Sequence, residues 1–252
     1  MNEILQVAMF AGQMILENGG ETYRVEETIW RICKIYGADE AESFATPTGI
    51  MASICHQGKT YSLTRRVSNR TVNLDKIDKV NDLSRSIQSK KLSVSDFKRE
   101  LDKINNLNTY SFLIVILFSG LPAGSFSILF GGNFKDAFSA FLIGLVIKGL
   151  ALKWSDVGIN TFFINSICGG ITALLAIIFF KLGISSQINQ TIIGSIMLLV
   201  PGLAITNAIR DTMSGDLLSG IIRASEAFLV AISIAVGTGA VLSFWISNLG
   251  GV

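Results

Sequence analysis

Beyond residue 108 the chain repeats one demand: apolar runs close to the ~20 residues a helix needs to cross about 30 Å of hydrocarbon, parted by short polar connections. They fall at 110–130, 137–152, 162–180, 191–209 and 227–246. A lipid core offers no water to backbone N–H and C=O groups, so each run must be a helix and the helices must gather into a bundle. The expected architecture is therefore a membrane protein with an α-helical bundle of about five transmembrane helices. The 137–152 run is short and carries Lys148 near one end, where a lysine can snorkel to the interface.

Charge divides the chain at the same place. Residues 1–108 hold 29 of the 40 Asp, Glu, Lys and Arg side chains, and residues 109–252 hold the other 11. A polar domain, 1–108, thus precedes a transmembrane domain, 109–252. With the first domain in the cytoplasm, Lys153, Arg210 and Arg223 fall on the cytoplasmic side and only Lys135 and Lys181 fall outside, as positive-residue bias requires. Five crossings then leave the C-terminus extracytoplasmic. The first hydrophobic stretch has Glu3 and Glu17 and no basic lead, so it is expected to be an amphipathic helix, not a leader.

The first domain reads as cytoplasmic α+β. Helical patterns over 3–17 and 22–36 are separated by "NGG", a glycine stop, which predicts a helical hairpin. "SFATPTGIMASIC" and "KTYSLTRRVS" read as two extended runs joined through "HQGK", a β-hairpin. "LDKIDKVNDLSRSIQ" and "SVSDFKRELDKINN" predict two more helices, the second capped by Ser95. Catalytic chemistry is sparse: one histidine, His56, beside a turn, and three scattered cysteines, Cys33, Cys55 and Cys168, with neither zinc nor disulfide spacing. There is no Walker A loop and no GxGxxG. No enzyme activity, cofactor, metal or nucleic-acid partner is expected. "TRRVSNR" reads as a solvated strand end near an anionic membrane surface.

Helices in lipid associate through small residues that let backbones approach. Gly120 with Gly124, Ala140 with Gly144, and Ala231, Ala235 and Gly239 are the expected contacts. A different feature is "LLVPGLAITNAIRDTMSGDLLSG", residues 198–220, which breaks a greasy run and sets charges just past the break. Pro201 removes a helical hydrogen bond and Gly202 frees the backbone beside it. Gly202, Thr206 and Arg210 then fall four apart, as do Asn207 and Asp211, giving adjacent polar rows. A broken helix leading to an amide and a charged mouth suits a transporter's binding site, with Pro201, Gly202, Thr206, Asn207 and Arg210 on the solute. Asp211, Asp216, Arg223 and Glu226 are the candidates for coupling or gating, because ionisable groups near a membrane are costly unless paired or functional. Arg223 and Glu226 are spaced to pair with each other; a plain proline kink with Arg210 on Asp211 is the bland alternative.

"GSIMLLVPGLAITNAIRDTMSGDLLSGIIRASEA", with "NGGETYRVEETIWRICKIYGA" and "FATPTGIMAS", resembles the bacterial threonine/serine exporter family, in particular its short, split members, over nearly the whole chain. The resemblance implies an inner-membrane secondary exporter of small polar metabolites. Long single-chain members carry a second set of spans after this unit, whereas this chain stops at Val252. It therefore implies a separately encoded small multi-span membrane partner, as in split pairs proposed to export dicarboxylates such as succinate, besides a possible homo-oligomer. The solute stays open between serine or threonine and a dicarboxylate. Reading "SGDLL" as an intramembrane aspartyl protease signature fails, since Met213 replaces the first glycine and no run from 110 to 180 supplies a second aspartate. A non-transporting scaffold or ligand sensor is the other class of reading, and solute flux separates the two.

Overall fold

The computed structural model describes residues 1–107 and 110–249. The boundary inferred from charge, between 108 and 109, lies outside the described residues. Two compact units are present: Met1–Asn108 with Gly202–Ser225, and Thr109–Pro201 with Glu226–Val252.

The first unit opens with the expected hairpin, α1 (Asn2–Glu17) and α2 (Thr22–Ile35). Gly19 adopts φ +94°, a left-handed conformation that side chains rarely tolerate. Next come three strands rather than two, β1 (Glu40–Thr46), β2 (Gly49–His56) and β3 (Lys59–Arg66), in an antiparallel sheet ordered β1-β2-β3. The "SFATPTGIMASIC" run is thus two strands: Pro47 and Thr48 form a hairpin loop between paired Thr46 and Gly49. Pro47 cannot donate to a ladder, so the strand turns there. The β2–β3 turn, Gln57–Gly58, has positive φ at both residues, matching the twist of the strands it joins. His56 is the last residue of β2, beside that turn.

Helices α3 (Leu74–Lys90) and α4 (Val94–Asn105) complete the α+β layer. Ser93, not Ser95, caps α4, because its hydroxyl is the one that accepts from the Asp96 N–H, at 3.1 Å. The core joins Leu5, Met9, Ile15, Ile29, Ile50, Phe97 and Leu101, all at most 1% exposed.

In the second unit, α5 (Phe112–Leu129), α6 (Phe134–Asp156) and α7 (Thr161–Lys181) are long and apolar enough to cross a membrane. So is α10 (Leu217–Leu249), whose first turns belong to the first unit. These four are the candidate spans among the described residues. The expected fifth, 191–209, is not one helix. It divides into α8 (Ile188–Ile196) and α9 (Gly202–Met213), which fall in different units. Pro201, without an N–H and restricting the residue before it, ends the helical ladder between them. Helix α6 also starts earlier than expected and includes a buried aspartate, Asp136. It accepts from the Ser186 and Gln187 N–H groups at 2.7 and 2.8 Å and from the Ser185 hydroxyl at 2.9 Å, tying the start of α6 to the α7–α8 connection.

Small residues bring these helices together, though not all the expected ones. A Cβ on Gly124 would sit 2.9 Å from the Ala137 carbonyl oxygen, and one on Gly144 would sit 3.3 Å from Gly120 Cα. On α10, however, Ala231 and Ala235 are exposed and nothing lies within 4 Å of a Cβ at Gly239 among the described residues. The packed face is one row over: Gly169 of α7 faces the Ile234 carbonyl, and a Cβ on Gly237 would fall onto the Ser166 carbonyl. Period alone does not tell which of two small-residue rows meets the neighbour. Gly237→Ala should therefore destabilise the bundle by about 1–3 kcal/mol or more through overpacking, while Gly239→Ala leaves the melting midpoint in detergent unchanged. Equal midpoints for the two variants would contradict the α7–α10 crossing.

Candidate functional site

The segment after the break and the "NGGET" turn meet inside the first unit. Helix α2 begins with Glu21 as N-cap, and the Glu21 side chain makes no capping hydrogen bond. The first N–H groups of a helix need a partner, and its positive end favours an anion. Asp211 supplies both: its Oδ1 accepts the Thr22 N–H at 3.2 Å across 189 residues. Its Oδ2 lies 2.9 Å from Arg223 Nε, an ion pair whose side chains are 0% and 6% exposed.

The glycines are read as bare backbone. Asn207 donates its amide to the Gly19 carbonyl at 2.8 Å, and Arg223 donates from Nη2 to the Gly20 carbonyl at 2.7 Å. A Cβ on Gly20 would collide with the Ile15 side chain, and one on Gly19 would crowd Leu203 of α9. Around this centre, Thr22 Oγ1 donates to Asp216 Oδ2 at 3.2 Å, and Arg210 Nη1 lies 2.5 Å from Glu21 Oε1. Ser219 donates to the Ala45 carbonyl at 3.3 Å, while the Ala45 N–H donates to Glu26 Oε1 at 2.7 Å. Between α9 and α10, Gly215 at φ +94° turns the chain so that Asp216 precedes the first residue of α10.

Electrostatics separate the two glutamates. Burial opposes ionisation of Glu21, but its own backbone N–H, Arg210 and Arg24 outweigh that and hold its carboxyl below the ordinary range. For Glu26 burial wins: it pushes the carboxyl up, the Ala45 hydrogen bond opposes, and the charges of Asp216 and Asp211 push further up.

The structure thus brings together Asn207, Arg210, Asp211, Asp216 and Arg223. Asn207, Asp211 and Arg223 are buried and bonded to the α1–α2 turn, whereas Arg210 is exposed and pairs with Glu21 instead of Asp211. Thr206 stays outside the cluster, exposed, with its hydroxyl on the Gly202 carbonyl at 2.9 Å. Gly202 begins α9 with open space around it. Pro201 belongs to the other unit and lines a cavity there, and Glu226 is the first residue of α10 assigned to that unit. Glu21, Thr22 and Glu26 were not foreseen as site members. The quoted "NGGETYRVEETIWRICKIYGA" contains all three, but no sequence periodicity links them to positions so far along the chain.

A family model described as "Putative threonine/serine exporter" matches residues 6–245. "Probable succinate transporter subunit YjjP" of Klebsiella aerogenes is 25% identical over 239 residues, 92% of this chain and 90% of that protein. The protein of the same name in Escherichia coli is 25% identical over 249 residues, 96% of this chain and 94% of that one. "Threonine/serine exporter" of Corynebacterium glutamicum is 26% identical over 178 residues, covering 69% of this chain but 36% of that protein. No solved structure matches the chain.

Removing one partner of a buried ion pair leaves the other charge uncompensated, so Asp211→Ala should cost about 3–5 kcal/mol of stability. Replacing Asp211 and Arg223 together by leucine should recover part of it. Glu26 behaves oppositely. Its folded-state pKa lies above the ordinary 4.5, so its contribution to stability is complete below that value and is lost as pH rises through the raised one. Glu26→Gln, always neutral, should raise the melting midpoint at about pH 7.5 and change it little near the ordinary carboxyl range. A midpoint indifferent to Asp211→Ala, or a Glu26→Gln gain that does not fade on acidification, would contradict this network.

Proposed function

Because the chain belongs to the threonine/serine exporter family, a family of membrane transporters and not enzymes, we propose that it is a subunit of an inner-membrane secondary exporter of small polar metabolites. The solute is a serine- or threonine-type amino acid or a dicarboxylate such as succinate, and a second small multi-span membrane protein completes the transporter. The observation that carries this reading is coverage. The chain spans nearly all of two relatives whose names call them transporter subunits, but about a third of a long exporter. On this reading the buried Asn207, Asp211 and Arg223 fasten α9 and α10 to the α1–α2 turn. Arg210, whose planar fork suits a carboxylate, attracts the solute from the cytoplasm, and Asp216 holds it or exchanges protons.

The positive-residue bias supports a cytoplasmic N-terminus. Parity supports an extracytoplasmic C-terminus. Residues Met1–Asn108 and Gly202–Ser225 share one compact unit, which supports putting both on one side of the membrane. Helices α5, α6 and α7 cross three times, so α8 and the turn to Pro201 return the chain before α10 crosses last. Since α8 has nine residues and rises about 14 Å, this return is a half-helix continued by non-helical backbone, which lipid tolerates only where protein or a wet cavity surrounds it.

Reporter fusions after Val252 test the topology: an extracytoplasmic reporter should be active, and activity of a cytoplasmic one refutes the parity argument. Transport is tested in vesicles holding this chain together with the small membrane protein from the neighbouring reading frame. Labelled threonine or succinate should flow only when both are present, and Arg210→Lys should raise the half-saturating concentration. Flux of neither solute would overturn the exporter reading, and full flux from this chain alone would remove the partner.

A further inference from the structure

The membrane unit contains a cavity of about 280 Å³ bordered by α6, α7, α10 and the turn ahead of Pro201. Ligand sites of ~300–1,000 Å³ hold drug-sized molecules, so this one suits a solute of a few heavy atoms. Its polar lining is Lys148, Thr161 and Asn165, and Leu198, Leu199 and Pro201 bring the wall from the broken segment.

Lys148 is not where its sequence neighbourhood suggested. Helix α6 continues to Asp156, which places Lys148 two turns, about 12 Å, from the helix end. Lys153 stands between it and that end. A lysine at the end of a span reaches water along its own stem; Lys148 lines the cavity instead. Three other charges of the membrane unit are engaged. Asp136 is bonded to the α7–α8 connection, Lys181 stacks 4.2 Å from the Trp245 ring centroid, and Glu226 also has an interaction partner. Lys148 has no hydrogen-bond or ion-pair partner among the described residues. Asn165 adds an independent sign: it is 8% exposed, makes no side-chain hydrogen bond among the described residues, and lines the same cavity. Lys148 and Asn165 thus line one cavity without partners among the described residues, and polar groups so placed in a bilayer are costly unless a ligand or water completes them. The break contributes too, since Pro201 has no N–H to offer the Met197 carbonyl that would pair with it in a continuous helix.

We propose that this cavity is the solute site, that Lys148 binds the carboxylate of the transported metabolite, and that Asn165 and Thr161 hydrogen-bond to it. The proposal rests on the exporter reading and names the group that reading lacks: a cation inside the bundle, in addition to Arg210 outside it. The recognised chemistry is a carboxylate on a small polar solute, shared by a free amino acid and a dicarboxylate.

The test uses the same two-protein vesicles, with threonine, succinate and threonine methyl ester as probes. Hydrogen bonds to charged groups predict that Lys148→Met raises the half-saturating concentration of threonine and of succinate about tenfold to a hundredfold. Lys148→Arg should restore most of the affinity, and competition by the methyl ester, which has no carboxylate, should be unchanged by either variant. Asn165→Ala should weaken both acids at an unaltered melting midpoint, which keeps the site testable if the methionine variant fails to accumulate. A wild-type complex that transports normally while Lys148→Met or Asn165→Ala leaves its concentration dependence intact overturns the site alone. A phosphate-bearing lipid resting on Lys148 would give that result. A wild-type complex that moves neither acid overturns the exporter reading and the site with it.

Discussion

A helix N-terminus that is buried without a cap of its own must find an acceptor elsewhere. In this chain the start of α2 finds it 189 residues away, on Asp211. That single requirement organises the first unit. Asp211 is held by Arg223, and Arg223 and Asn207 spend their donors on the two glycine carbonyls ahead of the helix. Because those carbonyls belong to residues where a Cβ would meet Ile15 or Leu203, glycine is needed both for the turn and for the approach of α9. The buried pair is costly to assemble and far costlier to break, so its contribution lies in specificity of docking more than in net stability.

The second organising constraint is Pro201. Without an N–H at that position the fourth apolar run cannot propagate as one helix, and its two halves acquire different surroundings. The half before the break, α8, packs among α5, α6 and α7, with Thr191 and Ser195 buried and bonded inside the bundle. The half after it carries the polar rows of Asn207 and Asp211 and packs against the α1–α2 turn. A proline that looks like a kink in a span is therefore the point where the chain passes from one compact unit to the other.

Close backbone approach holds the membrane unit together in the same economical way. Gly124 against Ala137 and Gly237 against Ser166 put helix backbones in direct contact, which compensates for the missing hydrophobic drive between helices in lipid. Such packing leaves few gaps. The cavity beside Pro201 exists where one of the bounding elements, the turn after α8, is no longer a helix and does not fill its share of the space.

Much of this was legible in the residues. Hydropathy determined that helices long and apolar enough to cross a membrane follow the charge-rich first part of the chain, because length and apolarity alone decide whether a helix can cross. The "NGG" stop determined the α1–α2 hairpin, because φ near +94° at Gly19 suits glycine. The charges after the break were recognisable as a set, because unpaired ionisable groups next to a membrane are improbable. What they pair with was not. Arg210 chose Glu21 over its neighbour Asp211, and Asp211 chose Thr22 and Arg223. The active row of α10 proved to be that of Ile234 and Gly237, and Lys148 proved to line a cavity two turns inside its helix. These outcomes depend on which faces meet in three dimensions. Sequence spacing specifies which residues share a face of one helix, but only packing between distant segments specifies what that face touches.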